Sequence, residues 1–316
     1  MSTDIVTVIV DETLQYLQEQ KEAEWQHLVQ SLDQLIQSID DDDDTKDWMP
    51  GEKDFYNAIV DTVTSQITSS IAFMDKSEEM KKLTEQNFKG MDEQINLLND
   101  FNQALDGHLD DLVYKSAPTF QDYMQKFYTA GKEEGFSEMD VKAYTSAIDS
   151  YAQFTISNYD FGLIQRVSDD LRMQIKTEIW KGSANGETLK QMAKRIEDTG
   201  IQPIKSGWTG KMLTVPQRSM LIARTESKRA SNQGHLVAYG QYGVEKVDVV
   251  GDDDADTCDD CSEAMADGPY PINDIPESAQ LPLHPRCRHD YAAADEPLEE
   301  PQDVSVDDYV DLTENT

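Results

Sequence analysis

All three cysteines of the 316-residue chain, Cys258, Cys261 and Cys287, lie close together near its C-terminal end. Two of them form Cys258-x-x-Cys261. The third closes His284-Pro285-Arg286-Cys287. Two thiols two residues apart, followed by a His and a thiol two residues apart, supply the four soft or borderline ligands of a closed tetrahedral zinc site. The first pair needs a tight knuckle, which the Asp-rich loop before it can make, and Pro285 fixes the chain inside the second pair. Disulfide pairing is the rival reading, and it leaves one cysteine over. A catalytic metal would keep one ligand position open beside an acid or base. His289 and Asp290 could take such a part, but the spacing does not demand it.

The surrounding stretch reads as a helix, a strand and a loop. Leu221-Ile222-Ala223-Arg224-Thr225-Glu226 begins a helical run that continues through Asn232 to Tyr242, and Lys246–Val250 is a short β-branched run. Successive helical residues point about 100° apart, so Arg224 and Glu226 do not face one another. Arg224, Thr225, Glu226 and Asn232 therefore read as structural residues, with Gly234 and His235 alongside them and Arg224 tying the helix to the zinc loop or the β-run. The alternative makes Arg224 an anion-binding residue with Glu226 as an adjacent carboxylate.

The order Ala223-Arg224-Thr225-Glu226, Asn232, Gly234, Cys-x-x-Cys, a Gly and His-Pro-x-Cys-Arg resembles the head-morphogenesis family typified by protein F of phage Mu. The resemblance covers roughly residues 155–291. It implies a minor head (capsid) protein of a tailed virus, associated with the portal vertex or scaffold during head assembly and able to remain in the virion with the DNA. The family's last motif usually ends Cys-Arg-Cys, whereas this chain has Cys287-Arg288-His289. The metal ligands are thus Cys258, Cys261 and Cys287 with either His284 or His289, and structural zinc is the expected cofactor.

Charge bears on partners. The chain carries a net charge of −35, which opposes non-specific contact with nucleic acid and imposes self-repulsion on the fold. One reading is adaptation to a salty, halophilic interior, where screening removes that repulsion. The other is an ordinary acidic protein whose count is raised by Asp40–Asp44 and the C-terminal tail. Between Arg172 and Arg229, basic residues outnumber acids. That segment, 172–229, is the place to expect contact with packaged viral DNA or an acidic partner, against the alternative that it pairs with the chain's own acids. No apolar run is long enough to cross a membrane, and the first residues lack the features of a signal peptide.

Most of the remaining chain has helical periodicity. Trp25, Leu28, Leu32, Leu35 and Ile39 share one face, as do Phe55, Ile59, Val63, Ile67, Ile71 and Met74. Met80, Leu83, Phe88, Met91, Ile95 and Leu98 suggest a third helix, and Pro118 the start of another. Gly131–Gly135 reads as a hinge, with Ser137-x-x-Asp140 capping the next helix. The expected fold is mainly α: a helical N-terminal half with a C-terminal α+β module built round a small metal-knuckle β element. The expected divisions are a helical bundle or arm over 1–130, a connecting helix over 131–154, the head-morphogenesis domain over 155–291 and an acidic disordered tail over 292–316, in which Tyr309, Val310 and Leu312 could alternatively dock as a short linear segment.

The functional reading is a non-enzymatic head protein that binds portal or capsid subunits and aids genome packaging or delivery. Alternatives are a zinc-knuckle nucleic-acid binder and an enzyme delivered with the virion. The loops around the ligands are acid-rich where a phosphate-binding knuckle should be basic. No nucleophile–base motif, phosphate loop or spaced carboxylate pair stands out for the enzyme reading.

Overall fold

Apolar residues at three- and four-residue steps give the first described helix, α1 (Glu52–Lys76), a face of Phe55, Ile59, Val63, Ile67 and Met74, all fully buried. The computed structural model describes residues 48–199, 204–205, 212–213, 215–254, 257–305, 309–310 and 312–313. The helical reading of 4–39 lies outside them. The sequence after α1 runs through α2 (Glu78–Thr84), α3 (Met91–Glu138), α4 (Ala147–Ala184), α5 (Leu189–Thr199), the two-residue strands β1 (Ile204–Lys205) and β2 (Met212–Leu213), α6 (Val215–Gln241), β3 (Lys246–Val250), α7 (Asp259–Asp267), β4 (Tyr270–Pro271) and β5 (Asp290–Ala293). The described chain is mainly α with a small C-terminal sheet. β3 lies between β4 and β5, antiparallel to both, with Val247 opposite Tyr270 and Ala293 and Val249 opposite Tyr291.

Several local expectations change. Pro118 does not begin a helix: α3 runs through it for 48 residues. The ring removes one backbone hydrogen bond, but Leu105, Leu109, Val113, Phe120, Met124 and Phe127 form one buried face on both sides of it. The apolar spacing at Met91 and Ile95 was misleading, because both are exposed while Leu98 and Phe101 point inward. α3 ends at a left-handed residue, Asp140 (φ 53°), where the Asp140 amide donates to the Ser137 carbonyl at 3.2 Å and the Val141 amide to Phe136 at 3.0 Å. That is a Schellman ending. Ser137 and Asp140 therefore finish one helix instead of starting the next. The start of α4 is held by Asp149, whose carboxylate accepts from the Ser146 amide at 2.7 Å.

Gly131 and Gly135 are not a hinge either. They lie inside α3, where it crosses α6 with backbone touching backbone. A Cβ built on Gly131 would sit 2.1 Å from the Ser231 carbonyl oxygen, and one on Gly234 would sit 2.2 Å from that of Tyr128. Gly135 faces Ala238 and Tyr239. The segment 131–154 is thus the end of α3, a turn and the start of α4. Beside this crossing Asp149 accepts hydrogen bonds from the Lys132 ammonium and from the Tyr128 hydroxyl. Burial pulls the Asp149 pKa up, but the bonds from Lys132, Tyr128 and the Ser146 amide outweigh it and hold the carboxyl below its usual range.

Among the described residues of the C-terminal segment, the docking alternative is the one seen: Leu298, Gln302, Tyr309, Val310 and Leu312 pack against the fold. The Leu298 amide donates to the Tyr242 carbonyl at 2.7 Å and the Gln302 amide to that of Gln241 at 2.7 Å. Leu312 is buried in the same apolar cluster as Val247, Val249 and Tyr291. The reason is compositional: among the acids, Tyr309, Val310 and Leu312 retain enough apolar surface to dock.

Among the described residues, the basic side chains of 172–229 are largely committed within the chain. Arg172 pairs with Asp110 at 2.5 Å, Lys176 with Asp106 at 2.5 Å, Arg195 with Glu187 and Glu178 at 2.8 Å, Arg218 with Asp170 at 2.7 Å and Lys228 with Asp290 at 2.8 Å. These pairs favour the intramolecular alternative over a surface aimed at DNA. No described helix is long and apolar enough to cross a membrane.

Candidate metal centre

Cys258 is the N-cap of α7, and its Sγ accepts from the Cys261 amide at 3.4 Å. The helix start therefore turns the two-residue spacing into a knuckle with both sulfurs on one side. The second pair sits on a turn in which the Cys287 amide donates to the His284 carbonyl at 3.1 Å. Pro285 occupies the second position and Arg286 the third with φ 66°, the backbone signs of a type II turn. This turn carries Cys287 to within 3.8 Å of the Cys261 sulfur. Two thiolates on one tetrahedral zinc, each about 2.3 Å from it, lie about 3.8 Å apart.

The structure brings together all five residues expected here, as two groups sharing Cys261. Cys258, Cys261 and His284 have ligand atoms within 4.8 Å of one another, as do Cys261, Cys287 and His289. These are groups that could hold a metal ion. His284 presents Nε2 to the Cys261 sulfur at 3.2 Å, while its Nδ1 lies 2.9 Å from the Pro285 carbonyl. His289 is buried, with Nδ1 3.7 Å from the Cys287 sulfur and, among the described residues, no hydrogen-bond partner for Nε2. Burial, then the nearby Arg288 charge, lowers the His289 pKa and favours the neutral ring. Burial and the neighbouring Cys287 raise that of the Cys261 thiol. Asp290 does not join a metal group; it accepts from Lys228 at 2.8 Å.

α6 positions the turn and the strand after it. The Thr225 hydroxyl accepts from the Arg286 amide at 3.1 Å. Asn232 donates to the His289 carbonyl at 3.2 Å and accepts from the Tyr291 amide at 3.1 Å, so one buried side chain satisfies two main-chain groups at the start of β5. Arg224 does not tie the helix to the metal loop or to β3: it turns away toward Glu52 on α1, 3.6 Å away, and Glu226 pairs with Arg229 at 2.9 Å inside the same helix. Burial raises the Glu226 pKa despite that guanidinium. Thr225 and Asn232 reach the candidate centre; Arg224 binds α6 to α1, and Glu226 is paired within α6.

Asn232→Ala is expected to cost about 2–4 kcal/mol, because it strands two buried main-chain groups. Urea unfolding should show a lower midpoint with an unchanged slope, and a midpoint like that of the wild type would remove Asn232 from this role.

Residues that spacing did not single out are Gly251 and Tyr291. Gly251 lets the chain pass His289: a Cβ there would lie 2.5 Å from the ring. The Tyr291 hydroxyl accepts from the Leu281 amide and donates to the Ala279 carbonyl, both at 2.8 Å, holding the loop between the ligand pairs. An aromatic at the end of the motif was the only sequence signal for it.

The segment that builds this centre also carries a family signature: residues 173–291 match the family model described as phage Mu protein F like protein. Over this stretch the chain is similar to phage Mu protein F like proteins. No curated protein and no solved structure matches the chain. The match opens within α4 and closes on Tyr291 in β5. It takes in α6 and every candidate ligand but not α3, against which α6 packs at Gly234. The Mu F-like segment thus completes its core with a helix from outside the match.

Proposed function

We propose that this protein is a minor head protein of a tailed virus that binds portal or capsid subunits during head assembly, with a C-terminal module locked by one structural zinc. The observation that carries this reading is the coincidence of the Mu F-like match with the module that converges on the cysteines and histidines. Zinc suits the donor set, three thiols and an imidazole, and a closed four-ligand site is structural rather than catalytic. Cys258, Cys261, Cys287 and His284 are the proposed ligands. The Pro285 carbonyl engages His284 Nδ1, which leaves Nε2 free toward the sulfurs, the outer-shell arrangement usual for metal-bound His. His289 is then a buried packing residue beside Gly251. The protein acts by binding and not by catalysis.

The test is assembly. Disrupting the gene in the encoding virus should yield defective heads, and mass spectrometry should find the protein in purified wild-type heads. Heads that form normally and lack the protein would refute the proposal. A second reading concerns the salt of the host interior. Of the described acids, Asp122 and Asp111 pair only across exposed helix faces, and such pairs do little against a net charge of −35. We propose adaptation to high salt, so the melting temperature should rise between 0.1 and about 2 M KCl, as screening shortens below about 3 Å. A flat or falling profile would favour an ordinary acidic protein.

A further inference from the structure

The C-terminal segment is held by buried side chains that read peptide backbone. Gln233, on α6, is fully buried. Its Nε2 donates to the Val310 carbonyl at 2.8 Å, and its Oε1 accepts from the Leu312 amide at 3.1 Å. One side-chain amide thus pairs with the segment as a neighbouring strand would. One turn earlier, the Arg229 guanidinium donates to the Leu312 carbonyl at 2.5 Å. It also pairs with Glu226 and lies over the Tyr159 ring, 5.1 Å from its centroid. Apolar anchors set the register. Leu312 enters the core cluster, Val310 packs against it, and the Tyr309 ring meets that of Tyr151 edge-on at 5.3 Å.

Without the segment, both polar atoms of Gln233 would lose their partners inside the protein, each at a cost of about 1–3 kcal/mol if it stayed dry. The groove is therefore built for a peptide main chain. Its reading residues, Arg229 and Gln233, lie within the matched 173–291, while the occupant lies beyond that match. The route from β5 to the anchors passes through exposed residues, Asp295 and Glu296 among them.

We infer that α6 carries a peptide-recognition groove whose ligand is an acidic segment of the pattern Tyr-Val-x-Leu, read here through Tyr309, Val310 and Leu312 of the same chain. As in strand addition, bonds to the peptide main chain supply affinity and the peptide's side chains supply specificity, but here helix side chains make those bonds in place of a sheet edge. The same segment from a second copy presents identical chemistry, so tails can exchange between copies without any new contact.

The experiment uses the full chain with a protease site inserted between Asp295 and Glu296, cut only after folding. The released fragment should stay bound through gel filtration at micromolar concentration. An excess of synthetic peptide covering residues 296–316 should chase it off, while the same peptide carrying Leu312→Asp should do so at least about tenfold less well. In the cut chain, Gln233→Met should weaken retention by roughly tenfold, the loss expected for two hydrogen bonds. Loss of the fragment at once upon cutting would overturn the proposal. So would equal displacement by both peptides, or a fragment that no peptide displaces, which would make it a fixed part of the core.

Discussion

Gly234→Val is expected to be the most damaging single substitution in α6, lowering stability by about 3 kcal/mol or more. The new side chain would meet the Tyr128 carbonyl oxygen and the Lys132 amide nitrogen, 2.2 and 2.7 Å from an added Cβ. These are main-chain atoms in the middle of a long helix, so neither can swing aside. Relief requires separating α3 from α6, which exposes Phe136, Ala238 and Tyr242, the small cluster beside the crossing. Against a total stability of about 5–15 kcal/mol, the loss should appear as a large drop in urea midpoint or as insoluble protein. Gly107→Ala in α3 is the matched control. It has nothing within 4 Å of an added Cβ and is exposed, so it should gain up to about 1 kcal/mol. Equal effects of the two substitutions would mean that the helices do not cross at Gly234.

The second large effect concerns the cysteines. Protein purified without added metal should contain about one zinc per chain, and Cys258→Ser and Cys287→Ser should each lose it. Structural zinc binding is worth about 10–16 kcal/mol at neutral pH, so its loss should unfold the small module around β3, α7 and β5. Proteolysis should then cut between Lys246 and Ala293, while far-UV circular dichroism retains most of its helical signal from α1, α3 and α4. His284→Ala should resemble the cysteine variants, and His289→Ala should keep its zinc. Well-folded protein without metal would refute the zinc proposal. Zinc retained in Cys258→Ser but lost in His289→Ala would move the site to the group formed by Cys261, Cys287 and His289.

The periodic segments were the most legible part of the fold. Phe55, Ile59, Val63, Ile67 and Met74 recur at helical spacing because one helix face is buried along its whole length, and they form the core of α1. Lys246–Val250 alternates because one face of β3 is covered, with Val247 and Val249 inward. The spacing of the cysteines and of His284 named the residues that meet at the start of α7, since ligand geometry limits how such side chains can be separated along the chain. Arg224, Thr225 and Asn232 stood out by resemblance, but their partners did not. Thr225 and Asn232 bind main chain about sixty residues away, and a carbonyl or amide leaves no mark in sequence.

Where local reasoning failed, a distant contact had changed the value of a residue. Glycines that looked like a hinge at 131 and 135 are instead positions where a second helix comes too close for a side chain. Pro118 looked like a start because its missing hydrogen bond is a local cost, whereas the face buried on both sides of it is a tertiary gain. Docking of the tail through Tyr309, Val310 and Leu312 was only the alternative to disorder, because acids dominate along the chain, while Leu312 fills space that only the folded α6 and β3 create. Sequence alone determined a mainly helical chain with a cysteine–histidine module at its C-terminal end, because periodicity and ligand type are local properties. Tertiary structure decided that α3 completes the Mu F-like segment and that the tail belongs to its core, because both rest on surfaces assembled from residues far apart in sequence.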